Sequence, residues 1–202
     1  MDQALLDRAT LLDSILTRRS ATTLGAPGPS TEQLAKILAA AGTVPDHGQL
    51  RPYRFAVVSG EGRAAFGNAL AESALERRPE LTATALDGVR SKAQRSPTLV
   101  VLIASPKPGK IEAWEQVATA ACAGYAIVLA AHALGVGAVW KSVPFTRGKG
   151  LTELLRLGPT EEMLGWIHMG TSMSEASPAR PPFDVSAVTT LIDGNTPRPF
   201  VL

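Results

Sequence analysis

A mixed β-sheet flanked by helices is the architecture this chain predicts, and three observations carry the prediction. Helical patterns separate the candidate strands in the order α, α, β, α, α, β, α, β, α, β, so some strand pairs need crossover connections. Residues 98–105, TLVVLIAS, are an unbroken apolar run rich in β-branched residues, as in a central strand buried on both faces. Residues 117–140 are long, nearly uncharged and built largely from Ala and Gly, as in a helix apolar on every side. The pattern alone does not single out one fold.

Residues 3–17 are predicted to be helical, with Leu5, Leu6, Ala9, Leu12 and Leu16 on or near one face. Thr17 to Gly28 is a turn-rich connection. Ser30 is a candidate N-cap, with Gln33 three residues on as in a capping box, and the helix it starts stops at Gly42. The loop that follows opens the stretch TVPDHGQLRPYRF, residues 43–55, which concentrates a histidine, two prolines and two arginines before a strand at 53–59. Helices are predicted at 61–78 and from Pro79 to about Arg95, then the strand at 98–105. A Pro/Gly turn at Lys107 to Lys110 leads into the long helix Glu112 to Leu134. Strand 137–142, a helix near 148–157 and strand 164–172 complete the core. From Ser174 the composition turns to Pro, Ser and Thr. Phe183, Val185, Val188, Leu191, Ile192, Phe200 and Val201 nevertheless give that tail apolar anchors, so residues 1–173 are read as one domain and 174–202 as an extended arm.

Two hundred and two residues with 45% apolar content suit one domain with a real core. The net charge of +2, with basic residues scattered, argues against nucleic-acid and membrane-surface partners. The single cysteine, Cys122, sits in a small-residue run and is expected to be a buried hydrophobe. One cysteine allows no internal disulfide, which fits a reducing, cytoplasmic setting. The N-terminal residues are charged and amphipathic, without the apolar core of a signal peptide. Residues 117–140 approach the length of a membrane span, but His132 and the Gly135-Val136-Gly137 step interrupt them, and a core helix is the expectation.

No phosphate-binding G-x-x-x-x-G-K-[ST] loop, dinucleotide G-x-G-x-x-G unit or nucleophile elbow occurs. The three histidines, 47, 132 and 168, lack metal-ligand spacing, so no metal site is expected. What is present is Arg18-Arg19-Ser20, just past the first helix. Two guanidiniums and a hydroxyl on a short connection suit a phosphate, although basic residues also favour a helix C-terminus on dipole grounds alone. His168 alternates with Ile167 and Met169, and His132 lies within the apolar helix; neither is read as catalytic.

The R-R-S triplet, the P-D-H step at 45–47, W-K-S at 140–142 and M-G-T at 169–171, taken in this order, resemble the nitroreductase family of flavin-dependent oxidoreductases, with the small minimal bacterial members nearest in pattern. The resemblance runs from about residue 12 to residue 172. It implies an α+β nitroreductase-like fold with a central mixed sheet, an intertwined homodimer, and FMN bound in two pockets at the interface. The long helix would pack on its mate, with Ala118, Ala121, Gly124 and Ala131 allowing close approach, and the tail would cross onto the partner subunit.

Residue by residue, the resemblance places Arg18, Arg19 and Ser20 at the ribityl phosphate, His47 near the flavin, and Trp140, Lys141 and Ser142 at a flavin-contacting step. Lys141 would reach the phosphate or stabilise negative charge on the reduced ring. Pro45 and Pro52 would stiffen a wall of the pocket. NAD(P)H is the implied hydride donor, in a ping-pong reaction whose acceptor is a small nitroaromatic, quinone or enone. No protein side chain is needed as a nucleophile, since the flavin carries the chemistry. The chain departs from the pattern at Lys141 (arginine in the family), at Arg51 and Tyr53 (Gln and Trp) and at Thr43 (arginine). A flavin-binding storage or sensing protein without efficient turnover, and an interaction dimer with no cofactor, are the alternatives.

Overall fold

The computed structural model describes residues 11–173 and 180–201. The first part of the predicted N-terminal helix and the start of the arm at Ser174 lie outside the described residues. Helix α1 covers residues 11–17. Strand β1, Leu24–Gly25, follows within what was expected to be only a turn-rich connection. Helix α2, Thr31–Ala40, starts as its sequence dictates: the Gln33 N–H donates to Ser30 Oγ (3.1 Å) and the Ser30 N–H to Gln33 Oε1 (2.9 Å). Strand β2, Tyr53–Ser59, and helix α3, Gly62–Arg77, come next. Helix α4, Ala83–Ser91, is capped by Thr82, whose hydroxyl accepts from the Ala85 N–H at 3.2 Å. Strand β3, Thr98–Ala104, helix α5, Ala113–Ala133, strand β4, Gly137–Lys141, helix α6, Lys149–Leu155, and strand β5, Glu162–Ser172, complete the core elements.

Strand β5 is the axis of a five-stranded sheet ordered β1-β5-β3-β2, with β4 on β5 as well. It pairs β3 through Leu99↔His168 and Val101↔Trp166, and β4 through Val139↔His168 and Lys141↔Trp166. The α+β class holds. Every ladder among the described residues is antiparallel: α3 and α4 join the neighbours β2 and β3, and α6 joins the neighbours β4 and β5, whereas α5 crosses from β3 to β4 on the other side of β5, so the parallel pairs expected from the crossovers are not among them.

The two faces of the sheet carry separate cores. Leu99, Val101, Ile103 and Trp166 pack with Phe66 and Leu70 of α3 and Leu151 of α6. Val100, Ile167 and Met169 pack with Ile127 of α5 and Ile37 of α2. Strand β3 is buried along its whole length, as its apolar run requires.

Helix α5 is long and apolar enough in composition to cross a bilayer, and one side of it lies on the sheet as a core helix should. The buried Gln116 near its start is fully engaged, bonding to Lys107 N–H, Lys107 O and Ile111 O. The opposite side exposes Trp114 (72%), Ala118, Cys122 and Tyr125 (45%). Cys122 is therefore exposed, not buried: it lies across the helix from Ala120, Ala123 and Ile127, which take the core positions. Gly124 and Ala131, expected at a helix–helix seam, face inward instead; a Cβ on Gly124 would sit 2.7 Å from both Leu102 and Trp140. Ala118 is exposed and Ala121 half-buried.

Residues 180–201 carry strands β6, Thr190–Leu191, and β7, Arg198–Pro199, paired with each other alone among the described residues. Phe183, Val188, Ile192 and Val201 are exposed there. One tie to the core is the Arg180 Nη2 donating to Arg18 O at 2.9 Å.

Candidate functional site

After α1 the chain runs beside β4, where the Ala21 N–H donates to Ala138 O at 3.0 Å, and then joins β5 as β1. This register brings the Arg-Arg-Ser segment against the Trp-Lys-Ser strand. Between them opens a cavity of about 280 Å³ lined by Ser20, Leu24, Arg95, Val139, Lys141 and His168, among others. Strand alternation selects which side chains face it. Val139 and Lys141 point toward the cavity, while Ala138 and Trp140 turn to the α5 face.

The cavity is electropositive. No carboxylate lines it, and neither Arg95 nor Lys141 forms an ion pair among the described residues. His168, on the cavity wall, is 2% exposed, and its surroundings fix its proton. Trp166 Nε1–H donates to His168 Nε2 at 2.8 Å, so Nδ1 carries the hydrogen and donates to Ser96 Oγ (2.8 Å), which in turn donates to Thr98 O (2.9 Å). Burial, and then the nearby charges of Arg95 and Lys141, push its pKa down to about 4. His168 is thus a neutral wall residue with both nitrogens occupied.

The other predicted site residues separate. Ser142 lies exposed just past β4. Trp140 is a packing residue, set against Gly124 with its Nε1–H donating to Leu164 O at 3.3 Å, and it does not line the cavity it was expected to share with Lys141. Arg19 closes the end of α1, its Nη1 donating to Leu16 O, Thr17 O and Arg18 O at 3.0–3.1 Å, the helix-terminus role that its sequence position also allowed. It borders a second cavity of about 360 Å³ with His132, whose Nε2 is 3.5 Å from the Thr17 hydroxyl. Arg18 is half-buried and lines neither cavity.

His47 lies far from this group. Its Nδ1 is 2.7 Å from Glu115 Oε1, at the first turn of α5, whereas the Arg19 cavity borders His132 in the last turn. A rise of about 1.5 Å per residue puts those two positions on α5 about 25 Å apart. The His47 loop is nonetheless rigidly built. Gly48, Gln49 and Arg51 have φ of 75°, 53° and 47°, a conformation costing roughly 1–2 kcal/mol for each non-glycine residue. The Arg51 N–H donates to Asp46 Oδ2 (2.7 Å), Tyr53 Oη to Ala41 O (2.9 Å) and the Ser105 N–H to Pro52 O (2.8 Å), and Pro52 itself is buried. The loop is stiff, as its prolines suggested, but within one chain it walls no part of the Ser20–Lys141 cavity.

Arg95 was missed by sequence reasoning. It sits in an Arg-Ser-Pro step between α4 and β3, and no local signal ties that junction to residues 20 and 141. The assembled cavity suits the anionic end of a ligand: a hydroxyl, two cations and a neutral histidine, with no competing carboxylate among the described residues. At about 280 Å³ it is at the small end for a whole ligand site and matches a phosphate-bearing arm rather than an entire mononucleotide.

Comparison with known proteins identifies the family and the fold. The model of the Nitroreductase family matches residues 15–171. An Escherichia coli K12 protein, YdjA, named as a candidate NAD(P)H nitroreductase, is 32% identical over 191 residues, covering 94% of this chain and 97% of YdjA. The crystal structure of a nitroreductase-like family protein from Bacillus cereus superposes with a TM-score of 0.78 at 22% identity, covering 91% of this chain and 96% of that one. An FMN-dependent nitroreductase from Clostridium difficile R20291 superposes with a TM-score of 0.60 at 24% identity, covering 88% and 94% of the two chains.

Proposed function

This chain belongs to the nitroreductase family, and from that premise we propose that it is an NAD(P)H-dependent oxidoreductase that uses FMN to reduce a small nitroaromatic, quinone or enone in a ping-pong reaction. The name of the E. coli relative supports the nicotinamide donor, and that of the C. difficile neighbour supports the flavin. One observation carries the reading for this chain. Two motifs about 120 residues apart in sequence meet at one cavity, and what they bring to it is a serine hydroxyl and a lysine with no ion pair among the described residues.

Bound FMN supplies the hydride-accepting and hydride-donating chemistry. The protein binds and orients it. Lys141 and the Ser20 hydroxyl donate to the phosphate, Val139 and Leu24 bound that end of the cavity, and His168 stays neutral beside it. Trp140 contributes by packing on Gly124, which fixes β4 and hence the direction of Lys141.

The reading also requires a second chain. The outer face of α5 presents Trp114, Ala118, Cys122 and Tyr125 to solvent, and α1 presents Leu12 and Leu16. A second copy laid on these faces covers them and closes the site. It also brings a His47 loop from the partner, which removes the separation of about 25 Å along α5 within one chain. Residues 174–202 serve as the arm that reaches across it, with Phe183, Val188 and Ile192 as its anchors. A cytoplasmic location goes with use of NAD(P)H.

The test is an absorption spectrum of the purified protein loaded with FMN, before and after anaerobic addition of NADH or NADPH. Loss of the flavin band near stoichiometric donor, and its return with a quinone or nitroaromatic, is the expected result. A flavin band that neither donor bleaches would replace this reading with flavin storage or sensing.

A further inference from the structure

Arg95 lies at the junction of α4 and β3. Strand β5 lies between β3 and β4, with His168 paired to Leu99 on one side and Val139 on the other. The cavity is therefore approached by cations from two sides: Lys141 from the β4 side and Arg95 from the segment leading into β3. Both are close enough to depress His168 through their charge.

Arg54, Arg78, Arg90 and Arg198 pair with carboxylates, and Arg19, Arg63 and Arg147 donate to backbone carbonyls. Arg95 is exposed and, like Arg18, Arg51, Arg77 and Arg156, has no side-chain ion pair or hydrogen bond among the described residues; it differs from those four in lining this cavity. A guanidinium offers five N–H donors in a fixed fork and no acceptor. His168 cannot serve as its acceptor, because Nε2 already receives the Trp166 proton and Nδ1 donates to Ser96. Two like charges facing one space repel until an anion enters, and a phosphate monoester carries about −1.5 to −2 near neutrality, enough to meet both.

We propose that Arg95 is a further anchor for the cofactor phosphate, gripping it from the β3 side while Lys141 and Ser20 hold it from the β4 side. This rests on the FMN reading above. Its consequence is discrimination: the protein selects FMN over the unphosphorylated flavin, riboflavin, and Arg95 supplies a large share of that selection.

The test measures dissociation constants of FMN and riboflavin by flavin fluorescence for the wild type, Arg95→Gln and Arg95→Lys. A charge-assisted hydrogen bond lost to Gln weakens FMN binding roughly ten- to hundredfold. Riboflavin binding stays within about twofold, because the ring and ribityl contacts are untouched, and Arg95→Lys recovers part of the FMN affinity through charge without the fork. An unchanged FMN constant in Arg95→Gln overturns the proposal, as does equal weakening of both flavins, which would mark a structural role. A wild type that binds neither flavin overturns the FMN reading itself and is distinguished from both results.

Discussion

Acidification tests the His168 network, because the sign and size of its effect follow from the geometry. In the folded chain His168 is neutral, accepting from Trp166 and donating to Ser96, with a pKa lowered to about 4 from an ordinary 6.5. Unfolded, it takes up a proton as pH falls through about 6.5; folded, it does not until about 4. Stability is thus fully present above the unfolded value and is lost as pH falls from about 6.5 to about 4. The full loss is about 3 kcal/mol, of which about 2 kcal/mol falls between pH 7 and pH 5. That upper part lies above the window of Glu161, whose pKa is held at about 2 against an ordinary 4.5, chiefly by its hydrogen bond from Arg54. Urea unfolding at pH 7 and pH 5, at one protein concentration, compares the wild type with His168→Gln. The variant is less stable at both values but should lose about 2 kcal/mol less on going to pH 5. Equal losses in the two proteins would refute the assigned proton arrangement.

Three other outcomes are expected. Lys141→Met should weaken FMN binding by about 1.5–3 kcal/mol, measured by fluorescence titration, since a charged donor to phosphate is lost. Glu161→Gln should cost about 2 kcal/mol in urea unfolding at pH 7, because Arg54 Nε and Nη2 donate to its two oxygens at 2.8 and 2.6 Å and the Gly158 N–H adds a third bond; the half-exposed Arg54 keeps the figure below that of a fully buried pair. The gap between variant and wild type should then close as pH falls from about 4.5 toward about 2, where the wild-type carboxylate protonates. Tyr125→Glu should halve the sedimentation mass of a dimer by placing a charge on the outer face of α5; an unchanged mass would show that this face is not the contact.

The sequence legibly specified elements whose signals are local. The Ser30–Gln33 box, the apolar run of β3 and the alternation of β2 correspond to the observed cap and strands almost residue for residue. Strand β1 was not legible, because two residues carry no periodicity and owe their state to pairing with Thr171 and Ser172. The antiparallel pairing of every ladder among the described residues was equally out of reach, since element order does not fix strand neighbours. On α5, an apolar helix all round gives no phase, so Gly124 and Cys122 were assigned to the wrong sides. The site was legible in part. Ser20 and Lys141 do meet, but Trp140 turns inward by strand alternation, Arg19 caps its helix, and His47 sits at the far end of α5. Arg95 reaches the cavity only through the packing of β3 against β5, which no neighbouring residue announces.

The central claim is that the Ser20–Lys141 cavity receives the phosphate of FMN in a site closed by two chains. A crystal structure of the FMN-loaded protein tests it most directly. The account predicts a phosphate oxygen about 2.7–2.9 Å from Lys141 Nζ, with the ring between two protomers. A phosphate bound elsewhere, with Lys141 and Ser20 facing solvent, would contradict it.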